Sequence, residues 1–205
     1  MLATAGSSTQ GLSSRPVRPE IRVLGESFPG VLQAARTGAE WAWSSIYRDL
    51  SPLVLGYLRA QRASEPEDLT GEVFLQVVRD LHRFDGDERD FRAWVFTIVR
   101  HRAVDAGRRR ARRPVELAPE VPVVADESAD VETLVVDRAG ESRIREIIEE
   151  LGPDQRDVLL LRVLADLTVE ETAKVVGKSP GAVKALQRRG LAAIKRALAN
   201  EGVTL

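Results

Sequence analysis

The stretch LTVEETAKVVGKSPGAVKALQRRGLAAIKRAL, Leu167 to Leu198, stops one helix and starts another almost at once. Thr168 followed by Glu171 three residues later is a capping box, in which Thr168 caps the first turn and Glu171 reaches back to it. Gly177 supplies the left-handed residue that ends this helix. Ser179 and Pro180 then supply a fresh N-cap and a first-turn proline. Ala173 lies where two crossing helices approach most closely, and Val183 lies where the second wedges into a core. Two helices joined so tightly form a helix-turn-helix.

Projected at 100° per residue, the second helix has two unlike sides. Val183, Leu186, Gly190, Ile194 and Leu198 share one arc. Gly181, Lys184, Ala185, Arg188, Arg189, Ala192 and Arg196 share the other. Small residues near the start (Ser179, Gly181, Ala182, Ala185) let such a helix sink into a major groove, where Lys184, Arg188 and Arg189 can meet base edges or phosphates. The bland alternative is a solvated basic face. The coincidence of two caps, a glycine turn and one-sided charge favours DNA binding.

A second basic segment lies earlier. VRHRAVDAGRRRARRP, Val99 to Pro114, sets seven arginines against one acid, although the formal charge of the whole chain is only −1. It directly follows DFRAWVFTIV, which carries Phe91, Trp94 and Phe96. On a helix, Phe91, Trp94, Val95 and Ile98 make a buried stripe, whereas Phe96 projects away from it. Clustered arginines repel one another and call for an anion, so an aromatic platform beside a basic stripe suits single-stranded DNA passing into duplex. Their alternative role is to complement a helix C-terminus. PEDLTGEVFLQVVRDL, Pro66 to Leu81, differs from both. Its first turns are acidic, and Leu69, Val73, Phe74, Val77, Val78 and Leu81 form a broad apolar face that is either core or a dock for a partner helix. Gly71 within it suggests close approach or local weakness.

The remaining pattern divides the chain. Residues 1–25 are rich in Ser, Gly, Pro and Thr and read as a flexible tail. Residues 26–113 are helical in period, about four helices with breaks at Ser51-Pro52, Ser64 to Glu67 and Asp85 to Asp90. Within residues 114–139, the stretch Pro114 to Asp137 carries seven acids, no basic residue and spaced prolines, the mark of an extended acidic linker. Residues 140–200 return to helical period, with apolar stripes at Ile144, Ile147, Ile148, Leu151 and at Val158, Leu159, Leu161, Leu164, and 201–205 form a short tail. The expected fold is all-α: two small helical domains joined by an acidic flexible linker, the C-terminal one a helix-turn-helix. No apolar run reaches the roughly 18 to 20 residues of a membrane span, and the first residues lack a secretory centre. The absence of cysteine and the presence of only two histidines exclude thiol chemistry and Cys-based zinc sites and agree with a cytoplasmic setting. No paired-carboxylate site, phosphate loop or metal-ligand spacing points to an enzyme, and no cofactor is expected.

Taken in order, EDLTGEVFLQVVRDL, FRAWVFTIVRHRAVDAGRRR, the acidic linker and LGPDQRDVLLLRVLADLTVEETAKVVGKSPGAVKALQRRGLAAIKRAL resemble the extracytoplasmic-function sigma factors of bacterial RNA polymerase. The resemblance covers roughly residues 28 to 198. It implies that Asp68, Leu69, Glu72, Val73 and Phe74 lie on the helix that docks on the β′ clamp helices of core polymerase, with Gly71 standing where the family usually has glutamine. It places Phe84, Asp85 and Gly86 in the loop that pockets a flipped base of the −10 element. Trp94, Arg100, His101, Asp105, Arg108 and Arg109 match the helix bordering the melted strand, and Pro180 to Arg196 matches the reader of the −35 element. Implied partners are core polymerase, including its β flap, promoter DNA and an anti-sigma factor, with no membrane insertion. The linker's acids would also shield the basic faces of the free protein. One rival is a helix-turn-helix regulator of the response-regulator type acting without polymerase, although the N-terminal half shows no strand-helix alternation. Another is a helical adaptor, which would not need one-sided basic helices in both halves.

Overall fold

A computed structural model describes residues 27–112, 143 and 146–200. The tail, the whole linker and the last five residues lie outside them, as does the shielding role expected of the linker's acids. Every regular element among the described residues is helical.

Helix α1, Phe28–Arg36, carries Pro29 in its first turn and ends at Gly38, whose φ of 83° only glycine adopts without strain. Helix α2, Glu40–Ala60, buries Ala42, Ile46, Leu50, Val54, Tyr57 and Leu58. It continues through Pro52, where the sequence suggests a break. Pro52 faces solvent, so water can satisfy the carbonyl of Arg48 that the missing N–H leaves free. Helix α3, Pro66–Asp80, opens with Pro66 and the acids Glu67 and Asp68, and a 3-10 turn, Leu81–Arg83, closes it.

Helix α4, Glu88–Arg112, runs 25 residues, about 37 Å at 1.5 Å per residue. Phe91, Val95 and Ile98 of the expected stripe are buried, as is Val99, whereas Trp94 is only half-buried. Phe96 is also fully buried, edge-on to Tyr57 with ring centroids 5.8 Å apart. Its place off the stripe is explained by packing: α4 is gripped by α2 and α3 and also by the first helix of the helix-turn-helix. A helix covered on several sides needs apolar residues outside a single arc.

In the C-terminal half, Gly152 and Pro153 start helix α5, Pro153–Val163. Helix α6, Val169–Val176, and helix α7, Pro180–Asn200, follow. Arg156 ties the segment before α5 to α5 by donating to the carbonyls of Ile148 (2.9 Å), Glu149 (2.6 Å) and Leu151 (3.2 Å). The two halves touch. One apolar cluster runs from Phe28 through Val99 to Leu186, so the core is shared.

Candidate nucleic-acid interface

The helix-turn-helix forms as its caps dictate. Glu171 N–H donates to Thr168 Oγ1 at 3.1 Å while Glu171 Oε2 accepts from the Thr168 backbone at 2.6 Å. Gly177 adopts φ 66°, and Lys178 N–H returns to Ala173 O at 3.0 Å, a Schellman closure. Ser179 Oγ accepts from Ala182 N–H at 3.2 Å and so starts α7. Ala173 and Val183 are buried at the crossing. Gly181, Lys184, Arg188 and Arg189 are exposed on the outer side, with Ala182 and Ala185 half-buried beside them. The basic outer arc read from the sequence is therefore free to meet a ligand.

One feature of α7 escaped the sequence reading. A Cβ on Gly190 would come within 2.6 Å of Leu159 Cδ1 and 3.2 Å of its Cγ, so α5 and α7 cross here at a distance that glycine permits. The projection placed Gly190 on the inner arc but could not show the neighbour.

On α4, Arg100, His101, Val104, Asp105 and Arg108 line one shallow groove. Arg108 sits 3.5 Å from Asp105, and Arg109, Arg110 and Arg112 stand exposed beyond it. Trp94 is half-buried with its ring 5.3 Å from that of Phe84 and 5.7 Å from that of Phe91. Phe84 is itself buried within this aromatic cluster, so it braces the loop from beneath. Asp85 and Gly86 are the exposed loop residues. Gly86 has φ 152°, and a Cβ there would come within 2.7 Å of Asp90 Cβ, so glycine is required for this turn. Arg36 on α1 donates to the carbonyl of Phe84 and fixes the loop's other side.

On α3, Asp68 and Glu72 are exposed, whereas Leu69, Val73 and Phe74 belong to the core. These three hold the helix in place and offer no surface to a partner. The apolar side chains that α3 does present are Leu75, 66% exposed, and Val78, 50% exposed. Val78 thus stands on the outer part of an apolar face that the sequence leaves open as core or as a dock. Arg102 of α4 organises the same surface by contacting Glu72 at 3.2 Å and Gln76 at 2.9 and 3.1 Å. A Cβ on Gly71 would meet nothing within 4 Å, which removes close approach within the chain as the reason for glycine.

Where the halves meet, Asp157 of α5 accepts hydrogen bonds from Tyr57 Oη, from Gln61 Nε2 at 3.3 Å and from Arg100 Nε at 2.7 Å. Burial, then the Asp157 carboxylate, pushes the Tyr57 hydroxyl well above its usual pKa of 10, so Tyr57 is a fixed donor. Arg92 of α4 is buried against the Ala165 carbonyl at 3.5 Å and lies 4.0 Å from Asp166. Among the described residues no helix is long and apolar enough to cross a membrane, and no group of His, Cys, Asp or Glu is arranged to hold a metal.

Comparison with known proteins follows the same division. The Sigma-70 region 2 family matches residues 46–113, and the Sigma-70, region 4 family matches residues 141–194. The chain is 30% identical over 185 residues to the ECF RNA polymerase sigma factor SigD of Mycobacterium tuberculosis, a likeness spanning 87% of each chain. Its fold is similar to that of CnrH solved in complex with the cytosolic domain of CnrY, with a TM-score of 0.62 and 19% identity over 85% of this chain and 99% of that one. It is also similar to the sigma factor RpoE of Bartonella quintana solved with the anti-sigma factor NepR, with a TM-score of 0.58 and 18% identity over 76% of this chain and 95% of that one.

Proposed function

The chain belongs to the extracytoplasmic-function sigma factors of RNA polymerase, and from that premise we propose how its surfaces divide the work of initiation. The exposed side of α3, with Asp68, Glu72, Leu75 and Val78, docks on the β′ clamp helices of core polymerase, while Leu69, Val73 and Phe74 hold that side in shape. The groove of α4, with Trp94, Arg100, His101, Arg108 and Arg109, and the adjoining loop at Asp85 and Gly86 take the −10 element. The outer side of α7, with Ser179, Gly181, Ala182, Lys184, Ala185, Arg188 and Arg189, takes the −35 element, and the C-terminal half meets the β flap. The protein works in the cytoplasm, contributes no catalytic step of its own and is held in check by an anti-sigma factor.

The likeness to SigD over 87% of both chains carries this reading. The physical pattern supports it: two separate basic surfaces, one beside aromatic rings and one on a recognition helix, suit a protein that marks two stretches of one promoter. Run-off transcription tests it. Core polymerase supplemented with the purified protein is expected to initiate at a promoter that core alone ignores, and failure to form a stable complex with core would overturn the proposal.

A further inference from the structure

Among the described residues, four ion pairs between the halves share one sense of charge. Arg62 meets Glu149 at 2.5 Å, Arg89 meets Glu171 at 3.6 Å, Arg92 meets Asp166 at 4.0 Å and Arg100 meets Asp157 at 2.7 Å. In each of these four the cation belongs to the N-terminal half and the carboxylate to the C-terminal half. Three of the arginines lie on α4, and one of them, Arg100, lines the groove assigned above to the −10 element. Asp157 is central to the set. Each side chain shown bonded to it, Tyr57, Gln61 and Arg100, comes from the other half. When the halves part, it becomes a surface carboxylate that water solvates at no cost.

We infer that Asp157, Asp166 and Glu171, which meet arginines of α4, and Glu149, which meets Arg62 beyond the end of α2, form an anionic face that takes the place of promoter phosphates and latches the free protein shut. A guanidinium accepts a carboxylate or a phosphate with the same planar donor fork, so the internal face and DNA compete for one surface. The pairs at Arg62 and Arg89 are partly exposed and individually weak, which keeps the latch reversible. The pair at Arg100 and Asp157 is more enclosed, and losing one partner there leaves a charge unmatched. Closure also opposes engagement of two separated promoter elements, because α6, the neighbour of the recognition helix, is packed on α4. This inference rests on the assignment of the α4 groove to promoter DNA.

The test uses the full chain and a fluorescent fork-junction DNA of arbitrary sequence at low salt. Opening the protein raises its apparent affinity by the inverse of the fraction already open in the wild type, so Asp157→Asn is expected to bind about tenfold more tightly than the wild type. Its radius of gyration by small-angle X-ray scattering should rise in parallel. Asp154→Asn removes the same charge from α5 but breaks only a pair with Lys178 inside the C-terminal half, and it is expected to change affinity less than about twofold. Equal gains from both variants would mean simple loss of repulsion and overturn the latch, as would an unchanged affinity for a folded Asp157→Asn protein. Should that variant fail to fold, Glu149→Gln combined with Asp166→Asn, at partly exposed sites, gives the same reading with a gain of about threefold expected, and no gain overturns the latch. Run-off transcription on the same preparations separates the two readings. Transcription without any variant's gain removes the latch alone, whereas lack of core binding by the wild type removes the proposed function and leaves a charge-dependent closure to stand on the scattering data.

Discussion

Gly190 and Gly71 are both helical glycines, and their surroundings assign them opposite consequences. At Gly190 an added methyl drives into Leu159, so Gly190→Ala is expected to destabilise the C-terminal half by about 1 to 3 kcal/mol, read as a lowered urea midpoint. At Gly71 the methyl meets open space, so Gly71→Ala is expected to stabilise the protein by up to ~1 kcal/mol through helix propensity alone. Tyr57 adds a pH dependence. Its folded pKa is raised above 10, so the unfolded chain releases the phenolic proton first as pH rises. The contribution is therefore whole below pH 10 and is lost progressively above it. Urea midpoints should fall more steeply from pH 9 to 11 for the wild type than for Tyr57→Phe.

At the level of elements, local chemistry was the most legible part of the sequence. Thr168, Glu171, Gly177 and Ser179 act on neighbours within a few residues, and each makes the bond its type and spacing predict. Thr168→Ala should accordingly lower stability by about 1 kcal/mol in thermal unfolding. Lys184→Ala and Arg188→Ala should weaken −35 recognition in a promoter gel shift while leaving core affinity intact, because both side chains point away from the C-terminal core. What depended on distant partners was less legible. Phe96 was read from one helix's periodicity, yet a second packing layer buries it. Pro52 was read as a break, although a proline on the wet side of a helix leaves its unmet carbonyl to water. The resemblance gave α3's apolar residues a docking role, but Leu69, Val73 and Phe74 pack inward and Leu75 and Val78 are left outside. Arg156, which gathers three backbone carbonyls, carries no local signature.

For the whole molecule, the shared apolar cluster implies that the halves lose structure together. Urea unfolding of the free protein should show one transition coincident by tryptophan fluorescence, which reports Trp41, Trp43 and Trp94 in the N-terminal half, and by far-UV circular dichroism, which reports both halves. Separate transitions would show that the halves are independent in solution. The near-neutral formal charge conceals this arrangement, since it averages basic helices, an acidic connector and acids spent on internal pairing. The pairing itself could not be read from sequence, because Arg100 and Asp157 are 57 residues apart and either could equally have faced water.

The sorting of charge at the seam has one more consequence. A seam whose two sides are complementary in this way does not distinguish its own other half from that of a second molecule. The choice between them is made by proximity along the chain, an effective concentration in the millimolar range for short flexible tethers and lower for longer ones. Crowded to comparable levels, as during purification, the protein should exchange halves and form dimers in which each α4 is covered by its neighbour's acids, and dilution should return them to monomers.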